Sequence, residues 1–76
     1  ELDCYDVAED AFVSGRTVRE IPWPEFCLLV SIRRGERELI PKGKTRIQTG
    51  DVIITMTDEE HNGAVCDQMK QLCRNE

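Results

Sequence analysis

Hydrophobic positions recur along this chain in short alternating runs broken by glycine and proline, and a helical period appears near the C-terminal end. Between Leu2 and Ala8, Tyr5 and Val7 share one parity, which predicts a short strand. Ser14-Gly15 breaks that pattern. Ser14 is placed to cap a short helix whose apolar side is Val18 and Ile21, and Pro22 ends it. Trp23 stands between Pro22 and Pro24, so the backbone there is extended or turning.

The clearest strand signal follows. Phe26, Leu28, Val30 and Ile32 share one parity, and Cys27, Leu29, Ser31 and Arg33 the other. So continuous an apolar run predicts a central strand covered on both faces through Leu29 and solvated from Arg33 onward. Gly35-Glu36 reads as a tight hairpin turn into a second strand, Arg37 to Ile40, which stops at Pro41. A loop from Pro41 to Gly50 carries one inward candidate, Ile47, and Gly50-Asp51 turns into an interior strand from Val52 to Thr57. Thr57 and Glu60 have the spacing of a capping box, with Asp58 and Glu59 at the positive end of the helix dipole. Val65, Met69, Leu72 and Cys73 then form one packing stripe, with Lys70 and Arg74 in the last turns. The elements predict an α+β fold in two layers, a small and mostly antiparallel sheet against helices.

Length changes this picture. The 76 residues allow one domain, 1–76, and include only four aromatic side chains. A chain of this size buries about 60% of its unfolded surface, so hydrophobic gain and ordering cost nearly cancel. A second copy or a partner surface is therefore physically attractive. The net charge of −5 argues against nucleic acid and anionic lipid as partners, since the basic residues are scattered. Cys4, Cys27, Cys66 and Cys73 contain no C-x-x-C pair, and Cys66 and Cys73, two helical turns apart, stand about 10 Å from each other along the axis. Four reduced thiols acting as small hydrophobes are expected. No secretory signal and no run of membrane-spanning length is present, and the chain starts at Glu1 without an initiator methionine, as a fragment or processed product would.

The candidate chemistry is sparse. His61 is the sole imidazole, beside Asp58, Glu59 and Glu60, and with no second imidazole the acids are explained by the dipole; neither metal nor cofactor is expected. Pro41-Lys42-Gly43-Lys44-Thr45 lacks the first glycine of a phosphate-binding loop, Glu38 standing in its place, and no helix follows. It reads as a solvated basic loop, with Lys42, Lys44 and Arg46 as weak candidates for an anion contact. Ser14, Thr17 and Ser31 have no His–Asp arrangement, and Cys27 has no basic neighbour to activate it. Asp3, Asp6, Glu9 and Asp10 read as surface. Trp23, Pro24, Phe26 and Leu28 are candidates for a dimer interface or ligand groove, weighed against intrachain packing of Trp23. No enzymatic constellation emerges.

From Phe12 to Thr57 the chain resembles the TrkA-C domain, also called RCK-C, a regulatory module of potassium channel and uptake proteins and of some bacterial ClC-type chloride transporters. The resemblance rests on Ser14-Gly15-Arg16-Thr17-Val18, Ile21-Pro22, Leu29-Val30-Ser31-Ile32-Arg33-Arg34-Gly35, Leu39-Ile40-Pro41-Lys42-Gly43-Lys44-Thr45 and Thr49-Gly50-Asp51-Val52-Ile53, in that order. It implies a β-α-β-β-β-α fold, a homodimer, and attachment to a membrane transport domain of the same parent chain. It also implies a place on the cytoplasmic side of the inner (plasma) membrane, and the charge balance leaves no nucleic acid expected as partner. Asp51 is suited to accept a backbone N–H across its own turn. Some members of the family bind a small ligand at the dimer interface, including a cyclic dinucleotide, and in those an Asn precedes the central strand. Phe26-Cys27-Leu28-Leu29 stands there instead, so cyclic dinucleotide binding is not expected and the ligand is left open. The alternative is an assembly module with no ligand sensing, its last helix packed within its own chain or across the dimer.

Overall fold

In a computed structural model, which describes residues 1–74, these signals resolve into four strands, one α-helix and a single turn of 3-10 helix. The strands are β1 (Leu2–Asp6), β2 (Leu28–Arg34), β3 (Arg37–Leu39) and β4 (Val52–Met56), and the helix is α1 (Asn62–Cys73). The 3-10 turn, Val18–Glu20, holds the place of the first predicted helix. The sheet order is β1-β4-β2-β3 with every neighbouring pair antiparallel. This is the predicted two-layer α+β architecture.

One face of the sheet makes the core. Tyr5, Ile53, Ile32 and Leu39 line up across the four strands, and Val65, Met69 and Cys73 of α1 pack on that face. Val7, Val13, Ile21 and Ile47 close its margins from the connecting loops. The inward placement of Ile47 and the stripe on α1 match the sequence reading. Gly35 takes a φ of 62° at the first position of the two-residue turn between Arg34 and Arg37. That left-handed angle suits glycine and gives the twist a hairpin needs.

Several boundaries differ from expectation, each for a local reason. β1 ends at Asp6 rather than Ala8, and β3 ends at Leu39, leaving Ile40 exposed. Ser14 does not cap the short helix: its hydroxyl meets that of Thr49 at 2.7 Å. Thr17 holds the cap position, and the Glu20 carboxylate accepts from the Thr17 backbone N–H and hydroxyl, each at 2.8 Å. Those two bonds hold the Glu20 carboxyl below the usual range.

The Thr57–Glu60 capping box does not form either. Thr57 N–H still bonds Glu1 O at 3.0 Å, extending the pairing past β4, so the chain must turn before a helix can begin. Asp58 makes that turn by accepting the His61 N–H at 2.8 Å, and α1 starts at Asn62. Phe26 lies outside β2, in a turn, with a φ of 62°.

The largest departure concerns β2. Leu29 pairs with Thr55 and Ser31 with Ile54, so Val30 is an extra residue in a β-bulge. The bulge reverses the alternation partway along the strand: Leu29 and Ile32 both face the core, where strict alternation separates them. Among the described residues the predicted cover on both faces of β2 is not found, because the single helical layer reaches only the inner face.

All four cysteines are free thiols. Cys73 is fully buried on α1, and burial pushes its pKa up from 9.0 to about 11. Folding thus favours the neutral thiol, a contribution complete below about pH 9 and lost as pH rises through about 11, worth about 2–3 kcal/mol. Urea midpoints measured from neutrality into that window are expected to fall more steeply for the native chain than for Cys73→Ala, a control needed because burial raises the Tyr5 pKa as well. Parallel curves for the two proteins count against this origin.

Candidate functional site

Among the described residues, no helix or loop packs on the outer face of the sheet. Leu2 pairs with Met56, and Met56 with Leu28, so these three side chains form a row across β1, β4 and β2. They are 60%, 44% and 61% exposed, and Val30 beside them is exposed as well. The next row on this face is Cys4, Ile54 and Ser31, of which Ile54 and Ser31 are buried. An antiparallel sheet normally turns polar side chains outward on its solvated face. This one turns outward a continuous apolar strip.

Phe26 extends the strip beyond the start of β2. Its ring is 60% exposed and lies flat on His61, with centroids 3.7 Å apart and planes 10° from parallel. His61 is held in turn by Asp58, whose Oδ1 meets both the His61 N–H and Nδ1 at 2.8 Å. The backbone bond, followed by the ring contact, keeps the Asp58 carboxyl below the usual range. A bulky aromatic in the left-handed region is uncommon, and holding it there costs on the order of 1 kcal/mol. A groove of about 520 Å³ runs between Phe26, Leu28, Met56 and Asp58.

The four sequence candidates therefore divide. Trp23 is half-buried against the core, its Nε1–H donating to Val18 O at 3.0 Å, and Pro24 is buried. Those two are anchored within their own chain, while Phe26 and Leu28 project from it. His61 offers a flat partner for Phe26, and among the described residues no three His, Cys, Asp or Glu side chains cluster as a metal ion requires.

The basic loop is held differently from its appearance in sequence. Lys42 to Thr45 is a tight turn closed by Thr45 N–H to Lys42 O at 3.0 Å. Lys42 and Lys44 are exposed on it, but Arg46 donates to Gly15 O at 2.5 Å. Arg19, not singled out by sequence, reaches over this turn: a Cβ on Gly43 would stand 3.2 Å from its Nη2.

Behind this loop is a buried ion pair. Asp51 is 1% exposed and binds Arg34 in bidentate fashion, Nε to Oδ1 at 2.9 Å and Nη2 to Oδ2 at 2.8 Å. The same Arg34 Nη2 donates to Arg46 O at 2.9 Å, and Gln48 N–H to Asp51 Oδ2 at 2.9 Å. The Asp51 carboxylate holds the Arg34 guanidinium more firmly in its charged form. The turn bond expected of Asp51 is present, and Arg34, expected to be solvated, is its main partner. The Arg-Gly strand end and the Gly-Asp strand start are thus two halves of one clamp.

Compared with known proteins, residues 5–70 match the TrkA-C domain family. The chain belongs to the TrkA-C domain family. Its fold is shared with an RCK domain solved with cda, at 22% identity and a TM-score of 0.77, over 96% of this chain and 97% of that one. It is likewise shared with the RCK_C domain dimer of S. agalactiae BusR in complex with c-di-AMP, at 24% identity and a TM-score of 0.74, over 93% and 92%. A TrkA-C domain is a regulatory module without catalysis, and membership bears out the non-enzymatic reading. Among the described residues, no helix is long and apolar enough to cross a membrane.

Proposed function

We propose that this TrkA-C domain regulates a larger ion channel or transporter, for chloride or potassium, by pairing with a second copy through the outer face of its sheet. The observation that carries this reading is the exposed row Leu2–Met56–Leu28, continued by Phe26. A second copy laid against it under a two-fold axis would remove the same apolar surface from water twice, for one matched contact. Small domains gain most from such sharing, since their own cores are limited. The BusR relative being a domain dimer supports the pairing, and family membership supports attachment to a transport protein on the cytoplasmic side of the inner membrane.

A small ligand fits this scheme at the margin of the paired faces, in the groove between Phe26, Leu28 and Met56. A ligand held by both copies binds the dimer better than the monomer and therefore shifts the equilibrium between them. The complex of the BusR domain with c-di-AMP makes that molecule the first to test. The apolar Phe26-Cys27-Leu28-Leu29 stretch favours the second reading, an assembly module that pairs without a ligand.

Sedimentation equilibrium across a dilution series, with and without c-di-AMP, distinguishes the two. Dimer formation strengthened by the dinucleotide supports ligand-controlled regulation; dimer formation indifferent to it supports plain assembly. A chain that stays monomeric at high concentration in both conditions refutes the pairing.

A further inference from the structure

We propose that the turn at Gly43, together with Arg19, forms a binding site for a phosphate-bearing anion. The site shares no residue with the outer apolar face, and the inference does not depend on the dimer.

The first observation is charge segregation. Residues 14–20 and 41–48 hold five of the ten basic side chains but only one of the fifteen acids, in a chain of net charge −5. The fold lays these two segments side by side. Val18 N–H bonds Thr45 O at 2.9 Å, Arg19 N–H bonds Gly43 O at 3.0 Å, and Thr17 and Arg46 form an isolated antiparallel bridge. The one acid present, Glu20, is engaged by the Thr17 N–H and hydroxyl.

The second observation is which cations are left without a counter-charge. Among the described residues the ion pairs are Arg34–Asp51 and His61–Asp58. Arg46 is bonded to Gly15 O, and Arg16 to Phe12 O with its guanidinium 4.0 Å from the centre of the Phe12 ring. Within these two segments that leaves Arg19, Lys42 and Lys44 with neither an ion-pair partner nor a backbone carbonyl bonded to the side chain among the described residues. Arg19 is drawn over Gly43, the residue between the two lysines in sequence, where the missing side chain gives it room. Three cations gathered on one turn raise the local potential, and an anion bound there relieves their repulsion.

The backbone adds to this. In the turn closed by Thr45 N–H to Lys42 O, the two central N–H groups, of Gly43 and Lys44, have no protein acceptor among the described residues. Successive free N–H groups in a tight turn make a concave donor surface for anions. Two such donors and three flexible cations suit a ligand with several acceptor oxygens and more than one negative charge. A phosphate group has that character, whereas a single carboxylate has two oxygens and one charge.

The phosphate could belong to a soluble compound or to a lipid headgroup, and two arms of one experiment separate these. In the first, the isotopically labelled chain is titrated with inorganic pyrophosphate at low ionic strength, following the backbone amide signals. In the second, vesicles of phosphatidylcholine with and without phosphatidylglycerol are sedimented with the protein. Each arm is repeated with Lys42→Gln/Lys44→Gln, whose positions are exposed and whose melting temperature is measured as a check on folding.

The expected result is a saturable shift centred on Arg19, Gly43 and Lys44, weakened at least about tenfold in the double variant and weakened again by added salt. Pyrophosphate binding without vesicle binding assigns a soluble ligand; co-sedimentation that needs phosphatidylglycerol and both lysines assigns a lipid. Absence of both, or binding that the folded double variant retains, overturns the proposal.

Discussion

Arg34→Ala is expected to destabilise the fold strongly, costing about 3–5 kcal/mol. The reason lies with the partner rather than with the arginine. Asp51 is 1% exposed, and Arg34 supplies two of the three hydrogen bonds its carboxylate accepts, the third coming from Gln48 N–H. Removing the guanidinium leaves a buried charge with a single donor. For a domain of this size each kcal/mol shifts the melting temperature by about 4–8 °C, so the variant should melt well below the native chain or fail to fold at ordinary temperature. Thermal and urea unfolding measure it. Arg34→Met combined with Asp51→Leu should recover much of the loss, because the unpaired charge is then gone. If Arg34→Ala costs less than about 1 kcal/mol, the pair behaves as a surface salt bridge and the clamp has been misjudged.

Leu28→Glu is expected to act on association and leave folding nearly untouched. Leu28 is 61% exposed, so the isolated fold loses little, within about 0.5 kcal/mol. Under a two-fold axis the substitution enters the contact twice, putting two carboxylates into the apolar row with Met56 and Leu2. Burying either without a partner is costly, and like charges oppose each other besides. The dimer dissociation constant should rise at least about 100-fold, equivalent to about 2.7 kcal/mol. Sedimentation equilibrium reads that change and circular dichroism confirms the fold. A dimer as tight as the native one, carrying Glu at position 28, would place the contact on another surface.

The parts of the fold that sequence reveals are those decided locally. Gly35 and Gly50 mark turns because their positive φ angles suit no other residue so well, and Val65, Met69 and Cys73 mark the helix face by spacing alone. The bulge at Val30 has no such mark. A run of apolar residues on both parities reads equally well in either register, and only the pairing with β4 fixes where the extra residue falls. The partnership of Arg34 with Asp51 is hidden for a similar reason, since 17 positions separate them, Arg34 alone looks solvated and Asp51 alone looks occupied by its own turn. Phe26 and Leu28 were legible as a candidate site because large apolar side chains beside proline and a strand are informative. Their division from Trp23 and Pro24 was not, because it depends on the turn that lifts Phe26 away from the core.

That turn has an energetic corollary. A residue held at a φ of 62° without being glycine keeps some of the folding free energy as torsion in the backbone. Any visitor that engages the ring and lets residues 25 and 26 relax toward an ordinary angle recovers that amount on arrival, beyond what its own contacts supply. The loop before the central strand is in this sense pre-tensioned, with that torsion concentrated at Phe26.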